Sequence, residues 1–152
     1  MKVAIGSDHN AFYLKEDVKQ YIQELGHEVE DYGCYSCEAV DYPDVAFDVA
    51  EDISAEKADR GILICGTGIG VAISAGKVPG IRAALCHDTY SAERAQLSND
   101  AQILTMGAQI IGPEVAKKVV ESYLGVTFNG GSSGRKVQKI IDKEEEYGAK
   151  AQ

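Results

Sequence analysis

A doubly wound parallel sheet, the α/β class, is what this sequence predicts, and three observations predict it. Apolar runs of strand length alternate five times with amphipathic stretches of helix length. The main runs are apolar residue after residue, as in strands covered on both faces, rather than every second residue. No repeat and no composition shift marks a second domain, so residues 1–152 read as one domain with a helical C-terminal extension from about 132. With 45% hydrophobic residues, one domain of this length can bury a real core.

The elements follow in order. "KVAIG" (2–6) is the first strand, and "SDHN" leads into an amphipathic helix that runs to about Leu25 and stops at Gly26. "HEVEDYG" (27–33) alternates as a second strand. "CYSCEAVDYPD" is a loop, and Pro43 opens the helix "PDVAFDVAEDIS". "RGILIC" (60–65) is the third strand, and the helix after its glycine loop reaches about Lys77, where "VPG" breaks it. "IRAALC" (81–86) is the fourth strand, followed by the helix "DTYSAERAQLSN" with Asp88 or Thr89 as its cap. "AQILTMG" is the fifth strand, and "GPEVAKKVVESYLG" a helix with Pro113 near its first turn. "VTFNGGSSG" reads as a flexible linker, and "RKVQKIIDKEEEYG" (135–148) as a last charged helix. That helix has few apolar residues, so it is expected to pack on a partner subunit.

Composition narrows the function. The formal net charge is −9 and Lys and Arg form no basic stripe, which argues against nucleic acid as a partner. Small anions remain open, because backbone amides can bind them inside an acidic protein. "MKVAIGSDHNAF" reaches Ser7 and Asp8 too soon for a signal peptide or membrane span, so a cytoplasmic protein is expected. The four cysteines do not suggest a disulfide framework. Cys34 and Cys37 form a CxxC, but a zinc ribbon would need a second pair and a redox pair should open a helix; an ordinary loop pair is the plainer reading. Cys86, at the end of an apolar run, reads as core.

Ligands of doubly wound sheets sit at the carboxyl ends of the strands. Here those ends carry Ser7, Asp8 and His9, then Cys65 to Gly70, then Cys86, His87 and Asp88. "GTGIG" (66–70) is neither a P-loop nor a dinucleotide fingerprint, and its glycines alone say only that backbone approaches something, an anion being one candidate. Cys65 sharpens this. A thiol at a helix N-terminus has its thiolate stabilised by unpaired amides, and can act as nucleophile or base. The same amides can hold an oxyanion, and base plus oxyanion hole is what proton abstraction beside a carbonyl requires. The alternative is a buried cysteine that merely ends a strand. Asp8 and His9 can both face a ligand; equally, Ser7, Asp8 or Asn10 can simply cap the helix, a use that leaves His9 unexplained. Tyr42 could contact substrate, but a tyrosine before a proline reads first as packing; His27 reads as a surface strand start, Arg82 as a tie within the strand region or an interface, and Met106 as core.

At these residues a resemblance enters. "IGSDHNAFYLKEDV", "VDYPD", "ADRGILICGTGIGVAISAGKVPGIRAALCHD" and "ND" before "ILTMGAQIIGPEVAKKVV" resemble the type B ribose-5-phosphate isomerases, a family that also holds the galactose-6-phosphate isomerase subunits. The likeness covers residues 2 to about 125. It implies a Rossmann-like three-layer sandwich, no metal or other cofactor, and homodimers or tetramers with shared active sites. It also implies that Cys65 moves the proton between C1 and C2, that Gly66, Thr67, Gly68 and Gly70 belong to the loop holding the enediolate, and that Asp8 and His9 bind substrate. Asn99 matches an asparagine supplied by the neighbouring subunit.

The departures are equally specific. The family's ring-opening histidine falls on Ser98, and its phosphate arginines fall on Gln109, Ser132 and Lys136. Lysine does not replace arginine at a bidentate site. Arg135, Lys136 or His9 are available to compensate at the phosphate, and His87 as substitute acid. A four-carbon sugar phosphorylated on C4 explains the losses together: it closes no five-membered ring, and its phosphate lies one carbon nearer the thiol. The expected function is therefore an aldose–ketose isomerase of a small sugar phosphate, ribose 5-phosphate or a tetrose phosphate such as D-erythrulose 4-phosphate. The alternatives are a galactose-6-phosphate-type subunit needing a paralogous partner and a non-catalytic sugar-phosphate-binding module.

Overall fold

The computed structural model describes residues 1–151 and contains the expected parallel sheet. Its strands are β1 (Lys2–Ser7), β2 (Glu28–Asp31), β3 (Arg60–Cys65), β4 (Ala83–Leu85) and β5 (Ile103–Gly107), in the order β2-β1-β3-β5-β4. The helices are α1 (Phe12–Glu24), entered through a 3-10 turn at His9–Ala11, then α2 (Tyr42–Ser54), α3 (Ile69–Gly76), α4 (Thr89–Asn99), α5 (Pro113–Leu124) and α6 (Gly131–Ala151).

Alternation along the strands explains the three layers. Val3, Ile5, Ile62, Ile64, Leu104 and Met106 pack with α1, α4 and α5 on one face. Ala4, Leu63, Cys65 and Ile103 pack with α2 and α3 on the other. Both faces of β1, β3 and β5 are buried, which is why these runs carry no polar alternation. From β1 the chain steps outward to β2, then returns past β1 to β3, so the topological switch lies between β1 and β3. Register pairs Ser7 with Ile64 and Cys65 with Gly107, which aligns the three strand ends at one edge.

Several elements are shorter or shifted, β2 keeping Glu28–Asp31 and β5 starting at Ile103, and two of the differences have visible reasons. α6 begins at Gly131 rather than Arg135, so half of the expected linker is helical. The Phe128 amide donates to Oε1 of buried Gln96, whose Nε2 donates to the Ala101 carbonyl, and the Gly134 amide then donates to the Gly130 carbonyl. The segment is thus pinned to α4 before the helix starts. β4 keeps only Ala83–Leu85, because the Arg82 amide is taken by the Gln102 side chain rather than by the ladder. α6 packs against α4 with Val137 buried, while Ile140 and Tyr147 are exposed. No helix among the described residues is long and apolar enough to cross a membrane.

One buried cation ties the two ends of the fold together. Arg60, at the start of β3, donates from Nη1 to the Tyr123 carbonyl (2.8 Å) and from Nη2 to the Val126 carbonyl (2.6 Å), closing the C-terminus of α5. Tyr123 is fully buried, its hydroxyl donating to the Ala101 carbonyl, and burial pushes its ionisation far above the usual range. Arg60→Met is therefore expected to lose roughly 2–4 kcal/mol in urea unfolding, since two carbonyls lose a charged donor. A loss below about 0.5 kcal/mol would show that this tie is dispensable.

Candidate active site

The site is built on the turn from β3 into α3. Cys65 ends β3 buried, and its Sγ accepts the Gly68 N–H at 3.1 Å. Gly68 caps α3 in the left-handed conformation (φ 80°). A Cβ there would lie 2.5 Å from Leu85 Cδ1 and 2.7 Å from the Met106 carbonyl carbon, so only glycine fits both turn and space. Thr105 Oγ1, buried, donates to the Gly68 carbonyl at 2.9 Å. The chain after β5 forms the rear wall: Ala108 and Gln109 amides donate to the carbonyls of Cys65 and Gly66. Gly107 lies so close that a Cβ on it would meet Thr67 at 2.5 Å. Thr67 itself is exposed at the tip, its Oγ1 accepting the Ile69 N–H at 3.3 Å.

Ser7, Asp8 and His9 arrive at the same edge from β1, the Asp8 amide donating to the Ile64 carbonyl. Asp8 is buried and caps the 3-10 turn, Oδ1 accepting the Asn10 N–H and Oδ2 its side-chain amide. The capping use foreseen for this stretch therefore falls on Asp8, whose oxygens keep further lone pairs. His9 Nδ1 accepts the Val40 N–H at 3.2 Å, so its neutral ring carries the proton on Nε2. His87, after β4, accepts the Gly107 N–H on Nε2 at 2.9 Å, which leaves Nδ1 as its proton-bearing nitrogen. Next to it, burial lifts the Cys86 thiol to about 11 with help from Asp88, so this cysteine is inert core, unlike one facing amides.

Two residues the sequence left aside or placed elsewhere touch the loop. The Tyr42 ring lies over Gly70, where a Cβ would meet it at 2.5 Å, yet Tyr42 stays 40% exposed and so can face a bound molecule too. The Gln109 side-chain amide lies over Gly66, with Oε1 3.1 Å from the position of a Cβ. By contrast, Asn99 ends α4 at the other edge of the sheet, its carbonyl accepting from Nε of Arg82, just before β4. Ser98 Oγ there accepts from Arg94 Nε at 2.9 Å, and Ser132 lines the same small cleft as Arg94. Lys136 stands exposed on α6. Within one chain, then, Asp8, His9, Cys65 to Gly70 and His87 come together, and Asn99 does not join them. Cys37 is exposed in the loop while buried Cys34 faces Ser7 Oγ at 3.7 Å, and both are free thiols. Among the described residues, no cluster of three or more His, Cys, Asp or Glu is gathered as a metal site.

Fold and loop define an α/β protein whose topological switch carries a thiol that accepts a backbone amide of a glycine loop. A family profile described as Ribose/Galactose Isomerase matches residues 3–140, and the chain belongs to that family. It is 50% identical over 141 residues to D-erythrulose-4-phosphate isomerase of Pectobacterium atrosepticum, covering 92% of this chain and 93% of the relative. It is also 50% identical over 137 residues to ribose-5-P isomerase B of Listeria innocua, covering 90% and 93%. Among solved structures, ribose-5-phosphate isomerase B of Clostridium thermocellum superposes with a TM-score of 0.94 at 44% identity, covering 97% of this chain and 99% of that one.

The loop's dependence on Gly68 has a measurable sign. Gly68→Ala is expected to cost at least about 2 kcal/mol from left-handed strain and backbone contact. Gly76→Ala, where a Cβ meets nothing within 4 Å in a right-handed helix, is expected to be neutral or to gain up to about 1 kcal/mol. Chemical denaturation of the two variants checks the pair, and equal effects would refute the tight turn.

Proposed function

We propose that this protein is an aldose–ketose isomerase of a small sugar phosphate, working in the cytoplasm by proton transfer through an enediolate. The observation that carries the reading is the Cys65 sulfur aimed at the Gly68 amide within a glycine loop at the switch point. In the proposed step the Cys65 thiolate takes the proton from the carbon beside the substrate carbonyl. The C–H electron pair forms the C1–C2 double bond, and the carbonyl pair moves onto oxygen. The amides around Gly66, Gly68 and Gly70 hold that oxygen's charge, with the exposed Thr67 hydroxyl beside it. The thiol then returns the proton to the neighbouring carbon, while a hydroxyl proton moves between the two oxygens. The balance needs no metal or coenzyme. Asp8 accepts from sugar hydroxyls, and His9 donates from Nε2.

A site shared between two copies completes this reading. Its support is that Asn99 lies at the far edge of its own sheet, and that α6 exposes Ile140 and Tyr147. A homodimer that swaps α6 and α4 surfaces would bring Asn99 and Lys136 of one copy to the Cys65 loop of the other.

For the substrate, we infer a four-carbon sugar phosphate. Ser98 offers no ring-opening imidazole and Gln109 brings a neutral amide to the loop, and a relative sharing half its residues is named for D-erythrulose 4-phosphate. The second reading, ribose 5-phosphate, has equal identity to a relative of that name, and requires another ring-opening donor, for which His87 Nδ1 is the available proton.

Turnover of the purified protein on D-erythrulose 4-phosphate and ribose 5-phosphate, side by side, decides between them. Cys65→Ala is expected to lower kcat by at least about 10³-fold with unfolding unchanged, and to stop deuterium entering the substrate C–H from heavy water. Near-normal turnover would remove Cys65 as the base. Wild-type binding without any deuterium exchange would make the protein a binding module.

A further inference from the structure

The loop between β2 and α2 is held by a lysine that the mechanism above does not use. Lys15 lies on α1 with its side chain fully buried. Its Nζ donates to Asp31 Oδ1 (2.8 Å), Asp31 Oδ2 (2.7 Å) and the Cys34 carbonyl (2.7 Å), with Glu16 Oε1 at 3.1 Å. The rings of Phe12 and Tyr35 each have centroids 5.5 Å from the ammonium. Burial works against ionising Asp31, yet Lys15, the Gly33 amide and Lys19 together hold its carboxyl below the ordinary range. A full charge in a sealed place is costly unless its partners are in position, so losing any one of these contacts is penalised.

What that geometry fixes is the strand end that carries Asp8 and His9. Cys34, whose carbonyl Lys15 holds, donates its N–H to the Ser7 carbonyl at 2.8 Å, and the Ser7 N–H donates to the Gly33 carbonyl at 2.7 Å. Gly33 is held in turn, its N–H donating to Asp31 Oδ1 at 2.9 Å. The Ser7 carbonyl belongs to the same peptide unit as the Asp8 N–H. Two hydrogen bonds therefore separate the ammonium from the backbone of Asp8. Lys19 is the internal comparison: it shares Asp31 (3.0 Å) and Glu16 (2.9 Å) with Lys15 but does not hold Cys34.

We propose that Lys15 is a positioning residue for the proposed sugar-phosphate site, acting through the Cys34 carbonyl to hold the Ser7–His9 segment where it meets substrate. The inference rests on the isomerase reading for its kinetic consequence, and on structure alone for its local one.

Three variants test it: Lys15→Met, Lys19→Met, and Lys15→Met with Asp31→Asn, which removes the stranded carboxylate yet keeps an oxygen for the Gly33 amide. Each is measured for thermal stability, for KM and kcat on whichever sugar phosphate the wild type turns over, and for amide exchange at residues 7–9 and 33–34. Lys15→Met is expected to raise KM about tenfold with kcat changed less than about threefold, and to speed exchange at those amides. In the double variant stability is expected to recover while KM and exchange stay altered; Lys19→Met is expected to leave both near wild type.

KM and exchange unchanged in a folded Lys15→Met, or returning together with stability in the double variant, would overturn the proposal. Should Lys15→Met not fold, the double variant decides alone. A wild type inactive on both sugar phosphates would defeat the two proposed substrates, and amide exchange would still decide the role of Lys15.

Discussion

A sulfur can accept the backbone N–H three residues further on only where the chain turns back within that span, and in this protein the rest of the site hangs on that turn. Gly68 makes it, in a left-handed conformation with backbone of Met106 beneath it. The turn is held from below by β5, through Thr105 on the Gly68 carbonyl and Gly107 against Thr67. That dependence gives the strand order a purpose. The chain runs from β3 out to the edge as β4 and returns to place β5 beside β3, so the last strand formed becomes the floor of the loop. Had β4 followed β3 in space, its three residues would have had to supply the same support.

Electrostatics points the same way. A net charge of −9 repels an anion at long range, so attraction has to come from fixed dipoles at short range. One group of acidic residues is gathered away from the loop. Glu30, Asp31, Asp48, Glu51 and Asp52 line a groove between β2 and α2, where burial and Asp52 together keep the Tyr32 hydroxyl protonated far above its usual range. At the switch point Asp8 is the one carboxylate, held by Asn10, and the polar groups around the Cys65 loop are otherwise amides and neutral side chains: Thr67, Gln109, and a His87 ring that accepts rather than donates at Nε2.

Much of this was legible in the sequence, and what was not has physical causes. Apolar runs gave β1, β3 and β5, since strands covered on both faces cannot hide as anything else. Residue type narrowed the cap of α4 to Asp88 or Thr89, and the structure has the Asp88 side chain accepting from Ser91. The early start of α6 was not legible, because "GSSG" is poor helix sequence and follows a segment pinned at Phe128 by Gln96 on another element. Asp8 admitted both a capping and a ligand role, and local spacing could not say that it caps while remaining at the switch point. Lys15 was invisible for a different reason. A lysine on an amphipathic helix reads as solvent-facing, and only the packing of "DYGC" over α1 turns it into a buried anchor.

Gln109 shows how a change of charge at one position passes to the whole site. Its backbone N–H holds the Gly66 carbonyl and its side-chain amide lies across Gly66, so both ends of the residue serve the loop next to Cys65. An arginine there would bring a full charge and a long reach toward a remote anionic group, whereas glutamine brings a dipole that stays on the loop. Removing that charge loosens the grip on whatever lies far from the thiol and leaves the grip near it to the amides, which do not depend on side-chain identity. In the proposed isomerase such a site would select by length: a ligand whose anionic end sits close to the reacting carbons loses little from the exchange, and a longer one loses a partner. The amides of residues 66–70, fixed by Gly68, Thr105 and Gly107, are what allow the loop to lose that charge and remain a site.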